Sequence, residues 1–200
     1  MKKLHLYSGL IISLFVFAHL ANHALIFWGE EVHLAFMDGL RRVYRYVVVE
    51  ALLIAAVVLQ VFSGIKLFVK RRKFRLSGFD RLQLYSGTYL AFFLLIHVSA
   101  VLIARSYFLI DTDLYFGAAG LNLWPFQLFF IPYYFLAVLA FFIHLACAYR
   151  ISMMGFLGGK RKAELHAKII IGLGVILSTL IIIGMQGVEI PQQLRELYGQ

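Results

Sequence analysis

The sequence predicts an all-α integral membrane protein with five transmembrane helices in a single domain over residues 1–200. Hydrophobic residues make up 62% of the chain, which is more than a soluble core of this size requires. Each apolar stretch is long enough to cross a hydrocarbon layer of about 30 Å at about 1.5 Å per residue. No stretch alternates as barrel strands do, so helices are expected to satisfy the backbone in lipid. The five stretches are approximately 4–28, 44–69, 82–104, 124–149 and 165–187.

The distribution of positive charge predicts the orientation in the membrane. Of the 19 Lys and Arg residues, fourteen fall on the side that holds the N-terminus and five on the other. The positive-inside rule then puts the N-terminus in the cytoplasm, as in a multi-pass protein of the cytoplasmic (inner) membrane. Topology thus explains the net charge of +9 without nucleic acid as a partner. The run KRRKFR at 70–75 is interpreted mainly as a topology signal, with docking of a partner or anionic lipid as the second interpretation.

The first and third predicted helices have closely similar sequences. Residues 4–19 and 82–97 share seven identities at sixteen positions, including Tyr-Ser-Gly and a later histidine. The second and fourth helices match more faintly, QVFSGIK at 60–66 aligning with HLACAYR at 144–150. We therefore expect a duplicated two-helix hairpin, with repeats at about 4–75 and 82–155, followed by a fifth helix.

Polar residues at matching places in the repeats predict two levels inside a four-helix bundle. His19 and His97 fall in the outer half of the membrane, on helices that run outwards. Gln60 and His144 fall in the cytoplasmic half, on the helices that return. If the hairpins pack as a bundle, the faces that carry these residues point inwards. An outer pair, His19 and His97, would then lie above an inner pair, Gln60 and His144.

The histidine pair indicates a b-type haem in this bundle. Histidines in a bilayer are costly and mark functional sites by default, although a bond between helices is the alternative. Two imidazoles across a bundle supply the two axial nitrogens that haem iron takes. Zinc fits less well, because tetrahedral sites want four ligands. Ser8 shares a helix face with His19, and Ser86 shares one with His97, because eleven residues make nearly whole turns of about 3.6 residues.

The runs SGLIISLFVFAH and SGTYLAFFLLIH, with the H-x5-R ending of the fourth helix, resemble the cytochrome b membrane subunit of succinate:quinone oxidoreductases. This group comprises the succinate dehydrogenases and fumarate reductases. The chain is similar, helix by helix, to the single-chain, five-helix, two-haem type. The resemblance implies that His19 and His97 bind the outer haem and that His144 binds the inner haem. Gln60 stands where the fourth ligand is expected.

Gln60 leaves two haem counts open, one or two, because an amide is a poor iron ligand. One haem b is expected, and two if the inner site is completed. The inner site would be empty, five-coordinate on His144, or completed by another group such as His5 or His166. Quinone or lipid is an alternative occupant of the same space. We expect Gln60→His to create or tighten an inner haem site.

The resemblance implies electron transfer between a quinone and a cytoplasmic partner. That partner would be an iron–sulfur protein and a flavoprotein that acts on succinate or fumarate, docked on the basic loops. The chain carries no flavin, nucleotide or cluster motif, so it would act as a subunit and not catalyse the reaction alone. Two alternatives stay open: a haem-bearing sensor or adaptor, and a haem-free structural anchor in the lipid that uses its histidines for packing.

Several outer residues allow two interpretations. Arg45 and Arg105 suit the paired carboxylates of a haem, but interfacial arginines are equally ordinary there. Glu50 is interpreted either as a group in quinol proton release or as a salt-bridge partner of these arginines. His23 would bond a haem propionate, compete as a ligand or face another helix. We expect His33 to be solvated in an outer loop, and the Phe-rich stripes of the third and fourth helices to face lipid.

Overall fold

The computed structural model describes residues 1–71, 76, 78–156 and 158–200, and these form helices and turns with no strand among them. Five helices are long and apolar enough to cross a membrane: α1 with the 3-10 turn Leu25–Trp28, α3, α4, α6 and α7. The predicted all-α class with five membrane helices is confirmed. The helices are α1 (Lys2–Ala24), α2 (Glu30–Tyr44), α3 (Val47–Arg71), α4 (Gly78–Ser106), α5 (Leu114–Asn122), α6 (Gln127–Met153), α7 (Lys160–Met185) and α8 (Gln192–Leu197).

The long helices extend beyond the apolar stretches on the side of the bundle where the N-terminus of the chain lies. The α4 helix begins at Gly78, where the apolar stretch suggested 82, and α7 begins at Lys160, where it suggested 165. Hydropathy locates the part of a helix that lies in lipid, and helical hydrogen bonding continues past it. At the start of α7, Glu164 pairs with Arg150 of α6 at 2.7 Å, which fixes this extension against its neighbour.

Helix packing follows the duplicated sequence. The α1 and α3 helices pack together, as do α4 and α6, which gives the two expected hairpins. The hairpins meet where α3 contacts α4, while α7 packs along α6 and also contacts α1. A short helix, α2 or α5, lies between the two long helices of each repeat. The long helices therefore follow one another around a central space in the order α1, α3, α4, α6, α7.

The α7 helix approaches its neighbours closely through small residues. A Cβ atom on Gly174 would lie 2.4 Å from Cβ of Phe142, and one on Gly184 would lie 2.5 Å from Cγ2 of Ile26. Small residues allow such contacts between membrane helices. Phe141 and Phe142 belong to the buried core that this packing forms. The expectation that the Phe-rich stripe of the fourth helix faces lipid is therefore wrong at these two positions.

The outer side is more ordered than the sequence suggested. Where a polar loop was expected, α2 lies over the end of α1 and buries His33 and Met37. Only 1% of His33 is exposed, and its Nε2 lies 3.2 Å from Nδ2 of Asn22. The expectation of a solvated His33 is wrong, because α2 is amphipathic and turns this residue towards the bundle. On the side that holds the N-terminus, 72–75 of the basic run lie outside the described residues.

Candidate functional site

A cavity of about 1190 Å³ lies between α1, α3, α4, α6 and α7. Its volume exceeds the roughly 300–1,000 Å³ of ordinary ligand pockets. Its wall is mainly apolar, and both predicted levels of polar residues open into it. The polar residues that line it include His5, His19, His23, Gln60, His97 and His144.

The outer pair has the predicted arrangement. The ring centres of His19 and His97 lie 6.3 Å apart across the cavity. Each imidazole stacks on a phenylalanine one turn earlier in its own helix: Phe15 on His19 with an interplanar angle of 17°, and Phe93 on His97 with 12°. The repeat thus supplies a histidine and its aromatic support on each side of the cavity.

His23 contacts one member of this pair, His19. Its Nε2 lies 3.2 Å from Nε2 of His19, so one nitrogen donates and the other accepts. Its Nδ1 is buried without a hydrogen-bond partner among the described residues. The ring of His33 lies 5.6 Å from that of His23, measured between centres. The contact with His19 lies within α1, and the ring contact with His33 of α2 agrees with the interpretation that His23 faces another helix.

Glu50 and Arg105 form an ion pair at the outer end of the cavity. Nη1 of Arg105 donates to Oε1 of Glu50 at 2.5 Å, and both residues line the cavity. The salt-bridge interpretation of Glu50 is therefore confirmed, with Arg105 as the partner. The pair joins α3 to α4 across the line where the two hairpins meet.

Arg41 and Arg45 converge on Asp111, in the segment between α4 and α5. Arg41 makes two hydrogen bonds of 3.0 Å to the carboxylate, and Arg45 adds one of 3.3 Å and another of 3.1 Å to Thr112. Burial alone would raise the pKa of Asp111, but the hydrogen bonds and charges of the two arginines lower it overall. These hydrogen bonds hold the end of α2 against the segment between α4 and α5. Arg45 itself lines the cavity.

The inner level differs from the predicted pair of Gln60 and His144. Oε1 of Gln60 accepts from Ser8 at 2.7 Å, and its Nε2 lies 3.3 Å from Nε2 of His5. The ring centre of His5 lies 6.2 Å from that of His144. His5, considered from sequence only as an alternative, therefore faces His144 across the cavity. Sequence reasoning missed Ser63, whose hydroxyl lies 2.9 Å from Nδ1 of His5.

The other predicted site residues have local roles. Ser86 is buried, and its hydroxyl donates to the carbonyl oxygen of Gln83 at 3.3 Å. The same carbonyl oxygen lies 3.3 Å from Nδ1 of His144. His166, the other alternative ligand, instead bonds Tyr149 at 3.1 Å. The structure thus brings Ser86 close to His144 through a shared carbonyl group.

The ring-centre distances in the two histidine pairs match those of two imidazoles on one haem iron. With metal–imidazole bonds of about 2.0 Å and about 1.1 Å from nitrogen to ring centre, two axial rings would have centres about 6 Å apart. Haem needs only two protein ligands, because the macrocycle supplies four nitrogens. Within the described ranges, no three or more His, Cys, Asp or Glu residues are grouped to hold a bare metal ion. The donor set is therefore one of paired imidazoles.

Comparison with known proteins gives no relative. No protein-family model matches the chain, and neither a curated protein nor a solved structure matches it.

Proposed function

We propose that the chain is a membrane cytochrome b that carries electrons between a quinone and a cytoplasmic redox partner. The separation of 6.3 Å between the rings of His19 and His97 is the observation that supports it best. A lone membrane histidine is readily explained by helix packing. Two histidines on repeat-related helices, each with its own stacked phenylalanine, are better explained by a group that lies between them.

A haem bound by His19 and His97 would accept and release one electron at a time. The side chains around it have separate tasks. Phe15 and Phe93 fix the planes of the imidazoles, and the apolar wall excludes water from the cavity. Arg105 lines the outer end, where its charge suits the propionates of such a cofactor. Arg45 lines the same end and has the same charge.

The outer end of the cavity is also the proposed place for the quinone. Oxidation of a quinol releases two electrons and two protons, so a proton acceptor is needed beside it. Glu50 lines this end beside Arg105, so a carboxylate oxygen lies next to the proposed position of the quinone. We assign proton acceptance to Glu50 for this reason. A change in the orientation of Arg105 would free the carboxylate.

The proposed partner lies on the cytoplasmic side. By resemblance it is an iron–sulfur protein with a flavoprotein that acts on succinate or fumarate. The support is the excess of Lys and Arg on the side of the N-terminus, which predicts this side as cytoplasmic and makes it attractive to an acidic partner surface. Lys2 and Arg71 line the cavity at this end, so the cavity extends to the proposed docking side.

A pyridine haemochromogen assay on the purified chain tests the proposal. We expect b-type haem in the wild type, and loss of one and the same haem signal in His19→Ala and His97→Ala. His166→Ala is the matched control, because His166 bonds Tyr149 and is not part of the cavity wall. A colourless wild-type protein would overturn the proposal and leave a structural anchor. An unchanged spectrum in either ligand variant would overturn the outer pair.

A further inference from the structure

We propose that His5 and His144 are the axial ligands of a second, inner haem, in which His5 replaces the ligand absent at Gln60. This inference rests on the proposed function, since it assumes that the cavity holds b-type haem. It differs from the resemblance, which implies a ligand from α3 at this level. Here α1 would supply one ligand at each level, His19 at the outer and His5 at the inner.

The separation of the rings is the first support. The ring centres of His5 and His144 are 6.2 Å apart, against 6.3 Å for His19 and His97. Both values agree with the spacing of about 6 Å that two axial imidazoles require, given metal–nitrogen bonds of about 2.0 Å. The inner pair is thus as well spaced as the outer pair.

The hydrogen bonds at Nδ1 of both rings leave the lone pair of each ring on Nε2. Nδ1 of His144 faces a carbonyl oxygen, that of Gln83, so this nitrogen carries the proton. The hydroxyl of Ser63 donates to the carbonyl oxygen of Leu59 at 2.6 Å, so its lone pair accepts from Nδ1–H of His5. A partner on one ring nitrogen sets which nitrogen binds a metal. Both rings are therefore held in the tautomer that binds through Nε2.

Gln60 is compatible with this assignment. Its amide oxygen accepts from Ser8, so its amide nitrogen donates to the lone pair on Nε2 of His5. That hydrogen bond marks the nitrogen at which iron would bind, and a metal would displace it. Gln60 therefore orients the ring of His5 and does not act as a ligand itself.

Glycines let both imidazoles lie close against the backbone of a neighbouring helix. Gly87 lies so close to His144 that a Cβ would be 2.9 Å from its Cε1, and a Cβ on Gly64 would lie 3.5 Å from Cε1 of His5. Lys2 and Arg71 line the adjoining cytoplasmic end of the cavity. These cations are suited to the propionates of an inner haem.

The test measures haem per polypeptide and the electron paramagnetic resonance spectrum of the oxidised, full-length protein. We expect two haems in the wild type and one in His5→Ala and in His144→Ala, with the outer signal retained. The double variant His5→Ala with Gln60→His should regain the second haem. His5→Met should keep it but change its low-spin signal, because the ligands become histidine and methionine. His166→Ala serves as the control.

The outcomes separate the two proposals. No haem in the wild type would overturn the proposed function and this inference together. A different result would overturn this inference alone. In that result the haem depends on His19 and His97, and neither its content nor its spectrum changes in His5→Ala or His5→Met. Retention of the outer signal in each inner variant shows that the variant has folded.

Discussion

Gln60 and His144 occupy equivalent places in the two halves of the bundle. A Cβ on Gly9 would lie 3.2 Å from Nε2 of Gln60, and a Cβ on Gly87 would lie 2.9 Å from Cε1 of His144. Both glycines follow the serine of the repeated Tyr-Ser-Gly. The duplicated hairpins therefore keep one packing geometry although the polar side chain differs. In each half the glycine is the surface against which that side chain lies.

We expect Gly87→Ala to lower the haem content of the inner site. The new methyl group would overlap the imidazole of His144 at 2.9 Å, so the ring must move. Gly172→Ala is the matched control, since no atom lies within 4 Å of a Cβ there and the helix gains about 1 kcal/mol of propensity. Haem assays and thermal unfolding in detergent measure both effects. An unchanged haem content in Gly87→Ala would contradict the close fit of His144.

The stacked phenylalanines offer a test of the outer pair. Phe15→Ala and Phe93→Ala should each keep the outer haem but shift its low-spin resonance, because the imidazole loses its aromatic support. Each should also destabilise the protein by about 0.5–1.5 kcal/mol from the lost ring pair, beyond the lost area. Phe92→Ala, at a ring that is 51% exposed on the outside of α4, is the control. Equal spectra for Phe93→Ala and Phe92→Ala would show that stacking does not orient His97.

The ion pair of Glu50 and Arg105 should stabilise the protein, so that the effects of substituting the two residues are not additive. Arg105→Gln leaves a partly buried carboxylate without its cation, at an expected cost of about 1.5–3 kcal/mol. Glu50→Gln with Arg105→Gln should recover part of that loss, since two neutral amides need no ion partner. A double-mutant cycle on thermal stability measures the coupling. Additive losses would mean that the two side chains do not interact in the membrane.

Low pH should destabilise the packing of α2 over the end of α1, because His33 is buried there. Burial lowers the pKa of His33 below its ordinary value, and its neighbours are Asn22 and His23. The unfolded chain therefore takes up a proton from about pH 6.5 downwards, while the folded ring resists it. Stability should be constant above this pH and decrease below it. His33→Gln cannot be protonated and keeps an acceptor for Asn22, so its melting temperature should fall less; an identical pH profile would contradict this.

The sequence was sufficient for the five membrane helices, because apolar length alone determines which segments span a bilayer. It also placed His19 and His97 together, since the repeat puts them at one depth. It did not predict α2, α5 or α8. These helices are short, and the amphipathic pattern of α2 acquires meaning only where the bundle offers a surface to cover, as it does beneath His33.

The inner level shows a different limit. The alignment of the repeats pairs Gln60 with His144, and the glycine contacts agree with that equivalence. The alignment gives no sign that His5 reaches the same space, because its repeat counterpart is Gln83 and no shared pattern marks it. Only the crossing of α1 and α3 brings the ring between Gln60 and Ser63. Packing angles of this kind are not contained in local periodicity.

His5 and His19 belong to one uninterrupted helix, fourteen residues apart. That separation corresponds to about 21 Å along the axis and nearly four whole turns at about 3.6 residues per turn. On the α1 side, a single helix therefore sets the separation of the ligands of the two proposed irons. One residue inserted between them would turn His5 by about 100° away from the direction of His19. The length of α1 between His5 and His19 fixes both their spacing and their relative direction. An insertion or deletion there would move the two histidines out of register with the two levels.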